Sequence, residues 1–190
     1  MSNQTRGFGL RPIGKVGQNR DAQGQSEYSI AASATAIYFQ DPVKALNTGT
    51  IGVAAAGDTL LGSLNGVFFT NTTTKKPTWT NHLEANNTAT DILGYVSDDP
   101  YERFEVKSND SNASAQTDVF LNANIVYAAG DSANYVSAVK LDNATINTTN
   151  TLQLRIIGPS TNIGNSDLGS AGVSWIVNIN NHFYKQTTGV

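Results

Sequence analysis

The sequence predicts an all-β protein, an antiparallel β-barrel or sandwich with an extended N-terminal arm. Composition is the first reason: only 14% of the 190 residues are charged, whereas Asn and Thr each occur 21 times and Gly 17 times. Asn and Gly disfavour helix interiors, and Thr prefers strands and turns. Periodicity is the second reason, because apolar residues recur at alternate positions and no useful run has helical spacing.

The first 25 residues predict the arm. They carry four basic side chains and one acidic one, a net charge of +3, whereas residues 26–190 carry a net charge of −6. They also contain five glycines and a proline but few apolar side chains, so they cannot build a core of their own. We expect this arm to be ordered only where a partner covers it. The candidate contact residues are Arg6, Phe8, Arg11, Lys15 and Arg20, with Trp79 from a later polar loop.

Residues 26–190 predict one β-rich domain with short strands separated by turn residues. The predicted strands are Glu27–Ala31, Thr35–Phe39, Pro42–Leu46, Thr50–Ala54, Leu60–Phe69, Ile92–Val96, Arg103–Lys107, Asn134–Leu141, Leu152–Ile157 and Val173–Asn180. In Arg103–Lys107 apolar and charged residues alternate, which predicts one buried and one solvated face. Asp98-Asp99-Pro100 predicts a turn. A subdivision of the domain near the polar loop 108–116 is left open.

The chain has no cysteine, which excludes disulfides, thiol nucleophiles and cysteine zinc sites. Its polar beginning predicts no secretory peptide, and its most apolar stretch, Ile51–Gly57, is too short to cross a membrane. The absence of cysteine fits synthesis in a reducing cytoplasm.

No pattern predicts catalysis, and we expect neither an enzyme nor a cofactor. The chain has two histidines, His82 and His182, but no Gly-x-Ser-x-Gly motif that would mark a nucleophilic serine for a histidine to activate. Asp98, Asp99 and Glu102 could hold Ca²⁺ or act in glycan hydrolysis, but their spacing matches no calcium loop and also suits a solvated turn. We expect no bound metal.

The arm's chemistry favours a protein partner over a nucleic acid or a membrane. Its glycines form neither a phosphate loop nor a dinucleotide fingerprint. Four cations interleaved with one aromatic residue, on an otherwise acidic chain, are a weak basis for binding phosphates. A sugar platform built from aromatic residues is an alternative, but Trp175 lies in the most regular strand and is predicted to be core, which leaves Trp79 as the exposed contact.

Several segments carry a resemblance to a known family. Gly7–Lys15 (GFGLRPIGK) and Gln25–Ala31 (QSEYSIA) resemble the N-terminal part of virion structural proteins of tailed phages, especially marine ones. Three further segments, Ala36–Val43 (AIYFQDPV), Thr50–Ala54 (TIGVA) and Gly57–Val67 (GDTLLGSLNGV), are similar to successive strands of the small β-barrel of phage capsid decoration, or cement, proteins. Gln40 departs from that pattern, where a glycine is usual. The match covers residues 7–70.

The resemblance implies a non-enzymatic virion protein on the outer capsid surface, synthesised in the host cytoplasm, which bridges and stabilises major capsid subunits. It also implies a homotrimer. The alternative is another virion part: a tail, head–tail connector or receptor-binding fibre component. In either case an arm that orders on a neighbour adds buried area, and many symmetric copies turn modest affinities into avidity.

Overall fold

The computed structural model describes residues 3–16, 24–109 and 112–190, whose regular structure consists of β-strands and three 3₁₀ turns. The strands are β1 (Arg11–Lys15), β2 (Gln25–Ser29), β3 (Pro42–Ala45), β4 (Ile51–Val53), β5 (Gly62–Thr70), β6 (Pro77–Thr80), β7 (Leu93–Ser97), β8 (Glu102–Lys107), β9 (Asn122–Ala123), β10 (Ile125–Val126), β11 (Lys140–Leu141), β12 (Leu154–Pro159) and β13 (Ser174–Ile179). The 3₁₀ turns are Gln116–Asp118, Asn143–Thr145 and Phe183–Lys185. In these ranges no helix is long and apolar enough to span a bilayer.

The strands form two main antiparallel sheets. The first has the order β1-β8-β13-β12-β9, and the second has the order β2-β7-β5-β3-β4, with β6 paired to the C-terminal half of β5. Strands β10 and β11 make a separate pair. The predicted all-β antiparallel class is confirmed. Both sheets keep free edges and are not closed into a barrel.

Each main sheet buries its own hydrophobic cluster. The first cluster is centred on Phe104, Trp175 and Val177, which are fully buried. The second includes Leu64 and Val96. The alternation predicted near the C-terminus is confirmed, because Val173, Trp175, Val177 and Ile179 all lie in the first cluster. Alternate residues of a strand point to the same face, so this pattern places an entire apolar face in the core.

One of the passages of the chain from the second cluster to the first is the turn between β7 and β8. Glu102 N–H donates to the carbonyl of Asp99, which confirms the predicted turn at Asp98-Asp99-Pro100. This passage lies N-terminal to the polar loop 108–116, where a subdivision was considered. The subdivision itself stays a prediction.

Several local predictions differ from the structure. The predicted strand Thr35–Phe39 is reduced to isolated bridges at Ile37 and Phe39, and only the last two residues of Asn134–Leu141 form a strand. Conversely, β6 lies in a segment predicted to be a polar loop. It forms because the long strand β5 offers the segment a ladder of backbone partners from Val67 to Thr70.

The charged face of β8 is buried, contrary to the solvated face that its alternation predicted. Glu105 is 4% exposed and Lys107 is 2% exposed. The physical reason is tertiary cover: Lys107 Nζ donates to Asn165 Oδ1 at 2.6 Å and to the Gly172 carbonyl at 2.7 Å, and Glu105 forms an ion pair with Arg11. A loop and β1 therefore lie over the polar side chains and supply their partners.

The N-terminal segment, residues 3–16, is extended but lies on its own domain. Leu10 is fully buried in the first cluster, its N–H donates to the Gln40 carbonyl at 2.9 Å, and Ser63 Oγ donates to its carbonyl at 2.6 Å. The following residues pair as β1 with β8. The expectation that only a partner orders this segment is therefore wrong for residues 3–16, because a buried leucine and a free sheet edge inside the same chain do so.

Candidate functional site

The basic residues of the N-terminal segment are neutralised within the chain. Arg6 Nη2 lies 2.9 Å from Asp131 Oδ2, and Lys15 Nζ lies 2.7 Å from Asp99 Oδ2. Arg11 pairs with Glu105. Lys15 is nearly buried, so it cannot reach a partner without breaking its ion pair. As positive groups for an external contact, Arg6 and Arg11 remain accessible and Lys15 does not.

The other predicted contact residues are distributed over the surface. Phe8 is partly buried beneath the Arg11 guanidinium, whose Cζ lies 4.8 Å from the ring centroid. Trp79 lies on β6 and is 52% exposed, as predicted for a contact residue. Arg20 lies outside the described residues. The structure therefore does not gather the predicted residues into one site.

The acidic turn between β7 and β8 holds the N-terminal part of the chain in place. Asp98 accepts a hydrogen bond from Tyr28 Oη, Asp99 pairs with Lys15, and Glu102 Oε1 accepts the Gly14 N–H at 3.2 Å. The described residues contain no group of three or more side chains placed to hold a metal ion. These carboxylates therefore have structural partners, which explains their density in the sequence.

The electrostatics of this turn follow from burial and its partners. Burial pushes the pKa of Asp99 upward, but the Lys15 ammonium and the Tyr101 N–H outweigh it and hold the pKa below the ordinary value. Burial raises the pKa of Glu102, although the Gly14 N–H opposes it. Burial and the Asp98 carboxylate together raise the pKa of the Tyr28 hydroxyl.

Both histidines are packing residues. The His82 ring stacks on Tyr135 with 3.7 Å between ring centroids, and burial lowers its pKa. His182 is fully buried, and its Nδ1 accepts the Tyr184 N–H at 3.1 Å. Burial and the Lys185 charge lower the pKa of His182 to about 4. Both rings are therefore neutral near pH 7.

The sequence and the fold match no protein-family profile, no curated protein and no solved structure.

An aromatic face covers the outer side of the second sheet. It consists of Phe68 on β5, Trp79 on β6 and Tyr95 on β7. Phe68 and Trp79 are register partners on neighbouring strands, and so are Gly66 and Tyr95. The Trp79 and Tyr95 ring centroids are 4.9 Å apart, with planes inclined by 62°. Three neighbouring strands thus present their rings on one surface.

Gly66 gives this aromatic face its shape. A Cβ atom at this position would lie 2.4 Å from the Trp79 ring, so the indole lies directly over the glycine backbone. Trp79 nevertheless remains 52% exposed and Phe68 37% exposed. The indole is thereby held by the sheet while much of its surface stays in water, an arrangement suited to contact with a partner.

A basic pocket of about 230 Å³ lies beside the acidic turn and was missed by the sequence analysis. Its cations are Arg155 from β12 and Lys185 from the last 3₁₀ turn, and Tyr101 forms a wall. The two basic residues are 30 positions apart in a chain whose basic residues are scattered. Arg155 and Lys185 come together because β12 pairs with β13 and a 3₁₀ turn follows β13. No local sequence pattern predicts that the two residues are close.

Proposed function

We propose that this protein is a non-enzymatic virion component that binds the outer surface of a capsid and bridges neighbouring major capsid subunits. The observation that carries the proposal is the aromatic face of Phe68, Trp79 and Tyr95. Exposed aromatic groups on a rigid sheet are characteristic of protein interfaces, where Trp, Tyr and Phe are enriched in the buried centre. A face held on three paired strands also suits repeated binding to identical subunits.

The resemblance of part of the second sheet to decoration proteins supports the proposal. Strands β2, β3, β4 and β5 of that sheet, with Phe68 of the aromatic face, lie within the residues 7–70 that resemble decoration proteins, whereas Trp79 and Tyr95 lie outside this range. Gln40, where that family usually has glycine, has a φ of 67°, in the left-handed region that favours glycine. The local backbone thus fits the pattern even where the side chain departs from it.

The surroundings of the titratable groups favour binding over catalysis. The carboxylates of the acidic turn accept hydrogen bonds from, or pair with, the N-terminal part of the chain, and the ring of His182 is buried. A general acid or base must reach a proton of its substrate, which a fully buried ring cannot do. The proposal therefore assigns these groups to stability.

The aromatic face can be tested by binding purified variants to capsids that lack the protein. Trp79→Ser and Phe68→Ser should each lower the affinity about tenfold or more, the size expected of central interface residues. Phe120→Ser is the matched control, because Phe120 is a more exposed aromatic residue and lies outside the aromatic face. Equal affinities of all three variants and the parent protein would contradict the aromatic face as the contact.

The location can be tested by cryo-electron microscopy of virions that carry a labelled copy of the chain. The proposal expects the label at many positions over the shell. A label confined to one vertex or to the tail would contradict it and would support the tail, connector or fibre alternative.

A further inference from the structure

The basic pocket beside Tyr101 holds cations that lack carboxylate partners. Arg155 donates from Nε to Asn122 Oδ1 at 3.0 Å and from Nη2 to Asn180 Oδ1 at 2.7 Å, and both acceptors are neutral amides. Lys185 Nζ donates to the Ile179 carbonyl at 3.1 Å and lies 5.5 Å from the Tyr101 ring centroid. Among the described residues, no carboxylate lies within 4 Å of either cation.

The surroundings of these two cations differ from those of four other basic residues. Arg6, Arg11, Lys15 and Lys44 each form an ion pair with a carboxylate, and the chain as a whole is acidic, with a net charge of −3. At the pocket two cations instead lie near each other. Burial and the charge of Arg155 lower the pKa of Lys185, against a smaller upward effect of the Asp99 carboxylate, so the two positive groups oppose one another. A bound anion would relieve this opposition.

Both cations keep hydrogen-bond donors for a ligand. A guanidinium has five N–H groups, and Arg155 uses two of them; an ammonium has three, and Lys185 uses one. The two amide acceptors hold the guanidinium plane of Arg155 in a fixed orientation. A fixed planar fork recognises a planar carboxylate better than a mobile ammonium can, because two donors align with its two oxygens.

The rest of the pocket favours an amino-acid side chain over an acidic sugar. Its wall includes the apolar residues Val16, Pro100 and Ile157 and the ring of Tyr101, beside the amides of Asn178 and Asn180. The Asn180 amide is already used: its Nδ2 donates to the carbonyls of Asn150 and Leu152, both at 2.8 Å, and its Oδ1 accepts from Arg155. A sugar hydroxyl would therefore have to compete with these bonds at Asn180.

We propose that the basic pocket binds the side-chain carboxylate of an acidic residue on a protein partner. The inference rests on the proposed function, in which that partner is a neighbouring capsid subunit. An arginine and a tyrosine with an apolar rim form the kind of pocket that an interface residue fills, because the rim excludes water from the charged contact. The pocket supplies charge recognition, and the aromatic face supplies apolar area.

The test uses the full isotope-labelled chain in solution. It is titrated at constant ionic strength with a blocked tripeptide that has a central glutamate, and separately with the same peptide carrying glutamine. The signals of Tyr101, Arg155 and Lys185 should shift saturably with the glutamate peptide only. Equal responses to the two peptides, or none, would overturn the inference. A third titration uses a methyl glucuronide; saturation by it and not by the peptide would also overturn it.

Charge-matched variants locate the binding. Lys185→Gln, and Arg155→Gln combined with Lys185→Gln, should lower the affinity for the glutamate peptide, the double variant by about tenfold or more. Lys75→Gln combined with Lys76→Gln removes the same charge from the β5–β6 connection and should leave the affinity within about twofold. Equal losses in both double variants would mean non-specific attraction and would overturn the pocket.

The two proposals can fail separately. If the glutamate peptide does not bind while Trp79→Ser still reduces capsid binding, only the pocket inference falls. If the peptide binds at Arg155 and Lys185 while the protein does not bind capsids, the pocket stands as a carboxylate site and the proposed function falls.

Discussion

At the scale of single residues, the contact between Gly9 and Gln40 determines the path of the N-terminal segment. Gly9 has a φ of 76°, and a Cβ atom there would lie 2.1 Å from the Gln40 carbonyl oxygen. The next residue, Leu10, donates its N–H to that same carbonyl. The glycine-rich composition predicted an extended chain. It could not predict that Gly9 is the glycine that must stay a glycine, because the reason is a close contact with residue 40, which is distant in the sequence.

Gly9→Ala should therefore destabilise the protein by about 2 kcal/mol or more, since it combines a left-handed backbone with a collision against main chain. Chemical denaturation measures the change in the free energy of unfolding. Gly158→Ala is the control, because a Cβ atom there meets nothing within 4 Å, and its effect should stay within about 1 kcal/mol. Equal effects would mean that the contact at Gly9 is not tight.

Burial of Asp41 predicts a pH dependence of stability. Burial raises the pKa of Asp41 from 3.8 to about 6, against hydrogen bonds from Ser137 and Tyr38. Between these values the folded state binds more protons than the unfolded state, so the Asp41 contribution to stability rises as the pH falls. The ionised group costs the folded state on the order of 3 kcal/mol at neutral pH.

Asp41→Asn should remove this contribution. The difference in unfolding free energy between the variant and the parent protein should favour the variant most above pH 6 and shrink as the pH falls toward 4, because the parent carboxyl becomes neutral. Denaturation at several pH values measures it. A difference that stays constant with pH would contradict the raised pKa.

At the scale of elements, the sequence predicted those strands whose own residues alternate between apolar and polar. It did not predict strands that form because a strand distant in the sequence offers them backbone partners. The alternation at Val173–Ile179 lies within the strand itself, so the local sequence was enough to predict β13. Strands β1 and β6 were not, since glycine, proline and lysine residues weaken their local preference and a neighbouring strand edge decides. The buried charges of β8 and the basic pocket were missed for the same reason, whereas exposed Trp79 was predicted.

The N-terminal segment is anchored to the core by one side chain. Leu10→Ala should lower the free energy of unfolding by about 2–5 kcal/mol, the cost of a cavity in a packed core. Ile13→Ala, three residues further along on β1 at a position that is 46% exposed, should cost less than about 1 kcal/mol. Denaturation curves compare the two. A similar small loss in both variants would mean that the segment contributes little to the core.

At the scale of the whole molecule, the N-terminal segment joins the two clusters. The side chain of Leu10 packs in the first cluster. Its backbone N–H and carbonyl are hydrogen-bonded to Gln40 and to Ser63, and Ser63 lies on β5 of the second sheet. The turn at residues 98–101 gives a further connection. We therefore expect the two sheets to unfold together, although each has its own core.

Native-state hydrogen exchange can measure this cooperativity. The slowest amides of β5 and of β13 should report the same opening free energy, within about 0.5 kcal/mol. In Leu10→Ala the two values should separate, because the link between the clusters is weakened. Unequal values in the parent protein would show two independent units.

The homotrimer implied by the resemblance can be tested on the same sample by sedimentation velocity.

The pairing of β1 with β8 also has a consequence for the order in which the molecule is completed. Arg11 and its partner Glu105 are 94 residues apart, so the ribosome must make half of the chain before β1 can find its place. Contacts at this separation form late and slow folding. Until β8 emerges, Leu10 has no complete core to enter, so a truncated chain keeps a loose, cationic N-terminal segment. Because the cluster that receives Leu10 also contains Trp175 and Val177, the segment can close fully only after β13 has been made as well.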